Sequence, residues 1–245
     1  MSKKYLLVCE GPTDILVIDK IAKNISENIN DTIEIQELAP QRDATTYRYP
    51  SHGWEEVRKW CKVYGKNADI DDNPFAELIQ KRNWRALLKI SNANGLIIQM
   101  DTDIVEYITD LIPRYNSSTV STKNSRKQFA KRAILSWLGE EEIPNEIYLL
   151  LSTTSTETWI LATHGRVENI FNDLPSDFDF EDINDVINRL FDLGYASYID
   201  REGMKKLKKD LKIYKTYAQR ITDNLEKVCS ECEEANKICN LFSSD

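Results

Sequence analysis

The tightest constraint on this chain sits at its start. A short β-rich apolar run, Tyr5-Leu6-Leu7-Val8-Cys9, is followed by Glu10-Gly11-Pro12-Thr13-Asp14, then by Ile15, Leu16, Ile18, Ile21, Ala22 and Ile25 at helical spacing. That succession reads as strand, tight turn, helix. Ile33–Leu38 alternates and reads as a second strand, and 39–53 as a loop. One helix is expected from near Trp54, carrying Val57, Trp60, Cys61 and Tyr64. Another is expected after Pro74, with Phe75, Leu78, Ile79 and Leu87. Gly95–Met100 and Ile147–Leu151 read as buried strands, with a helix over 121–138 between them. Strands alternating with helices predict an α/β fold, a parallel sheet flanked by helices. Ligands in such sheets sit beyond the carboxyl ends of the strands.

Composition narrows the function classes. The 245 residues carry a net charge of −8, so net charge alone does not draw the chain to nucleic acid or membrane. No apolar run is long enough to span a bilayer, and the apolar stretch at the start is too short for a signal peptide. Five scattered cysteines fit a reducing cytoplasm better than a disulfide framework. Cys229 and Cys232 have zinc-like spacing without a second pair, and Cys232 and Cys239 fit an apolar stripe instead.

The last third reads differently. No strand pattern is expected after about residue 160. Segment 168–192 is acidic, with Arg189 as its one base, and segment 201–220 is basic. Leu207, Leu211, Tyr214, Ala218, Ile221, Leu225, Val228, Cys232, Ala235, Cys239 and Phe242 follow a 4-3 spacing without Gly or Pro. The stripe predicts a long helix packed on a partner helix, in cis or across a homodimer. The expected division is a sheet-bearing α/β domain over 1–165, with a helical insertion at about 54–90, and a helical C-terminal region over 166–245.

Two acidic clusters fall where a parallel sheet exposes them. Glu10 follows the first strand and Asp14 lies one turn into the next helix; Asp101 and Asp103 end the Gly95–Met100 strand. If those strands are neighbours, the carboxylates meet, and their repulsion calls for a cation. All-oxygen ligation suits Mg²⁺ or Mn²⁺. Gly11 is expected to supply the backbone turn that brings Glu10 in.

Glu10-Gly11-Pro12-Thr13-Asp14 together with Asp101-Thr102-Asp103 resembles the Toprim domain, and in particular OLD-family and small standalone Toprim nucleases of prokaryotic defence loci. The resemblance covers about residues 5–151. It implies a Rossmann-like parallel core that binds Mg²⁺ and cleaves phosphodiester bonds of DNA or RNA. Glu10, Asp101 and Asp103 match the Toprim glutamate and Asp-x-Asp pair, although Ile104-Val105-Glu106 stands where many members carry a glycine. Thr156-Glu157-Thr158-Trp159 resembles the Glu-x-Trp helix of OLD-like proteins, which makes Glu157, with Asp14, a candidate for a second metal. Ser155 or Thr156 would cap that helix. Ser51-His52-Gly53-Trp54 resembles a Gly-Trp segment of the same proteins. A lysine downstream is implied at Lys215. The chain has no phosphate-binding loop, so the ATPase with which OLD-like nucleases work would be encoded separately.

Lys123, Arg126, Lys127, Lys131 and Arg132 lie in an acid-free stretch, most of them on one helical face. They are expected either to contact nucleic acid or to pair with the acidic segment 168–192. Two rival readings accompany a defence nuclease. One is an RNA-maturing Toprim ribonuclease; the other is a non-catalytic Toprim module that binds a partner.

Overall fold

A computed structural model describes residues 2–66, 83–116, 122–152, 156–201 and 203–244. Four apolar segments pair in parallel: β1 (Ser2–Val8), β2 (Thr32–Ala39), β3 (Gly95–Asp101) and β4 (Ile147–Ser152), in the order β2-β1-β3-β4. Side chains alternate across the sheet. Tyr5, Leu7 and Cys9 enter one apolar core; Leu6 and Val8 enter the other. A sheet covered on both faces needs continuous apolar strands, which explains why β1 and β3 look apolar rather than amphipathic. Leu6, Leu7, Val8, Leu96, Ile97 and Ile98 are each 0% exposed, and each removal from water is worth about 1.5–3 kcal/mol.

The first face is covered by α1 (Pro12–Ile29), which follows β1 directly. Pro12 sits in its first turn, where no backbone N–H is missed, and Asn30 ends it in the left-handed conformation at φ 52°. The second face is covered by α2 (Trp54–Tyr64), α3 (Trp84–Ser91) and α4 (Lys123–Leu138). The chain passes from β1 through α1 to β2, then returns past β1 through α2 and α3 to β3. The strand order therefore reverses between β1 and β3, and their carboxyl ends leave a crevice there. Of the helix expected after Pro74, Leu87 lies in α3; Pro74, Phe75, Leu78 and Ile79 lie outside the described residues.

The remaining elements are α5 (Glu157–Ala162), α6 (Val186–Asp192), β5 (Ser197–Ile199), β6 (Lys205–Leu207), α7 (Leu211–Asp223), α8 (Leu225–Glu231) and α9 (Glu233–Ser243). Two expectations are corrected here. Strands do occur after residue 160: β5 and β6 form an antiparallel hairpin, too short at three residues each to show a pattern. The 4-3 stripe is not one long helix. It breaks at Asn224 (φ −121°, ψ 25°) and at the extended Cys232 (φ −128°, ψ 118°). Its apolar residues fold back on the molecule's own core: Tyr214, Ala218, Ile221, Val228, Cys232, Ala235 and Phe242 are buried with α1 residues. The stripe thus finds its partner in cis. Among the described residues, no helix is long and apolar enough to cross a membrane.

Candidate functional site

Glu10 leaves the end of β1, and Asp101 and Asp103 leave the end of β3, on the two sides of the crevice where the strand order reverses. Asp14 comes from the first turn of α1 and Glu157 from the first residue of α5, just beyond β4. Hydrogen bonds join Glu10 to Asp101, and the five carboxylates lie close enough to raise one another's proton affinity. Glu10 Oε1 accepts the backbone N–H of Asp101 at 2.8 Å. Gln99 accepts the Glu10 backbone N–H at 3.1 Å and donates its Nε2 to Asp101 Oδ1 at 2.9 Å. Thr156 Oγ1 donates to Asp14 Oδ1 at 2.6 Å. The Tyr214 hydroxyl donates to Glu157, whose Oε1 lies 3.1 Å from Lys209 Nζ. Glu10, Asp14, Asp101 and Glu157 are thus each engaged by a protein donor. Among the described residues, no three Asp, Glu, His or Cys side chains are gathered as a ready metal cage.

Burial dominates the electrostatics. Asp14, Asp101 and Glu157 are 4%, 8% and 2% exposed. Burial pushes the Glu10 carboxyl up to about 8, against the lowering effect of the Asp101 N–H, and the charges of Asp14 and Asp103 push the same way. Asp101 is held well above the usual carboxylate range by burial and then by Glu10. Burial and Glu157 raise Asp103 to about 6. Asp14 is raised by burial, while Lys209 and Thr156 pull it back. Five acids share this corner with Lys209, whose own ammonium is stabilised first by Glu157. Arg126 adds a second positive charge near Asp103.

Lys209 is the lysine that the structure brings to the carboxylates. It stands between the β5–β6 hairpin and α7, in the basic segment 201–220. Two anchors fix its backbone: Lys208 N–H donates to Ala196 O at 2.9 Å, and Asp210 caps α7 by accepting from Lys212 N at 2.7 Å. More than half of the Lys209 side chain is exposed, while its ammonium reaches in to the buried Glu157. Lys215, expected from the resemblance, follows Tyr214 on α7 and is exposed. It lines a different cleft, with Tyr195 and Arg220, and has no contact with the five acids among those described.

The glycines act differently from expectation. Gly11 is extended at φ −157°, a conformation open to any residue. What it supplies is room, because a Cβ there would stand 3.3 Å from Asp14 Oδ2 and 3.6 Å from His52 Cδ2. Gly53 is the residue that needs to be glycine, at φ 120°. Its N–H donates to Glu10 O at 2.7 Å, which binds the Ser51–Trp54 segment to the site. Thr156 takes the N-cap position of α5 without capping it, because its hydroxyl goes to Asp14; Ser155 lies outside the described residues.

The basic residues of α4 divide. Lys127 is buried, with Nζ 3.0 Å from Glu181, 3.0 Å from Glu234 and 3.2 Å from Glu233. Lys123 pairs with Asp179. For these two, pairing with the acidic segment is what the structure displays. Arg126 donates Nη1 to Thr102 O at 3.1 Å and pairs with Glu106. Lys131 and Arg132 face outward without a carboxylate partner among the described residues. Sequence reasoning named the five acids but did not assign Gln99, Thr156, Lys209 or Tyr214 to the site; in sequence Thr156 reads as a helix cap and Tyr214 as part of the apolar stripe. Polar residues inside or beside apolar runs were the available signal for Gln99 and Tyr214. The chain matches no known family model, no curated protein and no solved structure.

Proposed function

We propose that this chain is a Toprim-type, divalent-cation-dependent phosphodiesterase acting on nucleic acid. The observation that carries the reading is the meeting of Glu10, Asp14, Asp101, Asp103 and Glu157 with Lys209 in the crevice between β1 and β3. Buried acids in such numbers hold their protons well above the usual range because two cationic side chains do not offset their burial, and a bound cation would. The donors are all hard oxygens, which fits Mg²⁺ or Mn²⁺. The buried hydroxyls of Thr102 and Ser152, which flank Asp101 at the ends of β3 and β4, have no hydrogen-bond partner among the described residues. A site that lacks its ligand would leave such groups.

In this reading Glu10, Asp101 and Asp103 would hold one ion, and Asp14 and Glu157 would hold or support another. The ions, when bound, would supply Lewis-acid activation of water and charge stabilisation at the phosphate. The chain's own groups do the rest. Lys209, whose ammonium reaches the acids from a partly exposed stem, donates to a non-bridging phosphate oxygen as negative charge develops there. Glu10 is the carboxylate that takes the proton from the attacking water. Gln99 fixes Glu10 and Asp101 relative to each other, while Thr156 and Tyr214 orient Asp14 and Glu157.

The test is incubation of the purified chain with plasmid DNA, single-stranded DNA and structured RNA, in Mg²⁺, in Mn²⁺ and in EDTA. Cation-dependent cleavage that disappears in Glu10→Gln and Asp101→Asn supports the reading. Absence of cleavage of every polymer in either metal would sink it.

A further inference from the structure

We infer that the groove between the 112–116 loop and α4 is the track for a single strand of nucleic acid entering or leaving the carboxylate site. This rests on the phosphodiesterase reading and adds to it the strandedness of the substrate and the path it follows. The groove encloses about 670 Å³. Its cations are Arg114, Lys131 and Arg132, and among the described residues no acidic side chain lines it.

In a chain of net charge −8, an unbalanced basic surface is an exception. Elsewhere on α4, acids neutralise the bases: Lys123 meets Asp179, Arg126 meets Glu106, and Lys127 meets Glu181, Glu233 and Glu234. Arg114 and Lys131 have no ion pair among the described residues. Arg132 turns Nη2 to the backbone O of Pro113 at 2.6 Å and lays its guanidinium 5.0 Å from the centre of the Phe129 ring. That arrangement braces the loop on the helix and leaves the cation's charge uncancelled.

The groove also adjoins the site. Tyr115, on its wall, carries the Arg126 guanidinium 5.6 Å from its ring centre. Arg126 in turn donates to Thr102 O, between Asp101 and Asp103. One guanidinium therefore separates the groove from the proposed scissile position. Phosphates spaced along a backbone would step from the carboxylates onto Lys131, Arg132 and Arg114.

The lining chooses between single strand and duplex. Between the cations lie the exposed Pro113 and the half-buried Tyr115, able to receive base faces, above the buried Phe129 and Leu135. A single strand offers phosphates to the rim and unstacked bases to the floor. A duplex keeps its bases stacked inside and presents phosphates alone, so it gains only the ionic part.

Binding is measured by fluorescence anisotropy in the Asp101→Asn background, which prevents cleavage. The probes are labelled oligonucleotides of single-stranded DNA, single-stranded RNA and duplex DNA. A single strand should bind more tightly than duplex. The double variant Arg114→Ala/Lys131→Ala should lose about tenfold in single-strand affinity, with the salt slope shallower by about 1.4 for two lost phosphate contacts. A control double variant on other surfaces, Lys20→Ala/Lys89→Ala, should stay within about twofold. Thermal melting of each variant verifies that it is folded. Unchanged single-strand affinity in the Arg114/Lys131 variant, or tighter binding of duplex than of single strands, overturns the inference. Hydrolysis of bis(p-nitrophenyl) phosphate by the native chain tests the phosphodiesterase reading separately, because that diester is too small to occupy the groove.

Discussion

The Glu10 carboxylate accepts the backbone N–H of Asp101 at 2.8 Å, joining positions 91 residues apart. The bond locks the exit of β1 to the exit of β3 where the two strands diverge. It also uses one oxygen of Glu10 and leaves the other for a ligand. Two motifs that are each weak in sequence become one constellation through it.

The first prediction concerns that lock. Glu10→Gln and Asp101→Asn keep the hydrogen-bonding shape of the site and remove one buried ionisable carboxyl. Each should abolish Mg²⁺-dependent cleavage. In EDTA near neutral pH each should melt above the native chain, since burial holds both acids far above their ordinary titration range. Full cleavage by either variant would remove that residue from the chemistry.

Lys209 and Lys215 can be told apart directly. Lys209→Ala removes the one lysine among the described residues that contacts the acids, and should lower the cleavage rate by about 10²–10³-fold, the scale of losing one preorganised charge donor. Lys215→Ala should stay close to native. The reverse ranking in single-turnover assays would hand the role back to Lys215.

The stability of the metal-free protein should fall as pH rises. An acid whose folded pKa lies above its unfolded value binds its proton more tightly in the folded state. Its favourable contribution is complete below the unfolded value and is lost as pH climbs through the folded one. Glu10 goes from 4.5 to about 8 and Asp103 from 3.8 to about 6, so the window runs from about 4 to about 8. Melting temperatures in EDTA should drop across that window by more in the native chain than in Glu10→Gln. Added Mg²⁺ should restore more stability at the alkaline end than at the acid end. Parallel curves for the two proteins would contradict the assignment.

Lys127 looks like a nucleic-acid contact in sequence and is a buried brace in the fold. It connects α4 to Glu181, Glu233 and Glu234, of which Glu181 and Glu234 are 2% and 1% exposed. Lys127→Met should destabilise the chain by about 3–5 kcal/mol, because it strands buried carboxylates. Chemical denaturation measures this; a loss under about 1 kcal/mol would place the lysine among exposed pairs of little weight.

How much was legible can be argued element by element. The four strands, α1, α2 and α4 were readable because a sheet buried on both faces demands apolar runs, and helices covering it demand a helical stripe. Asp101 and Asp103 were readable because they stand directly after such a run. The breaks at Asn224 and Cys232 were not, since neither a glycine nor a proline marks them. There the turn of α9 back over α1 and β4 overrides a continuous local preference. Helix α9 sets Glu234 against the Leu151 N–H at 3.0 Å and against Lys127.

By itself, the sequence determined a parallel α/β architecture and the acids at the ends of its strands, because periodicity and residue type are local properties of the chain. Only the tertiary structure decided that β1 and β3 are neighbours. It also decided that Lys209 rather than Lys215 meets the acids, that Lys127 is consumed internally, and that the C-terminal stripe folds onto its own core. Those outcomes depend on which distant segments share a corner of space. Burial there, not residue identity, sets whether a charge is solvated, paired or left in need of a ligand.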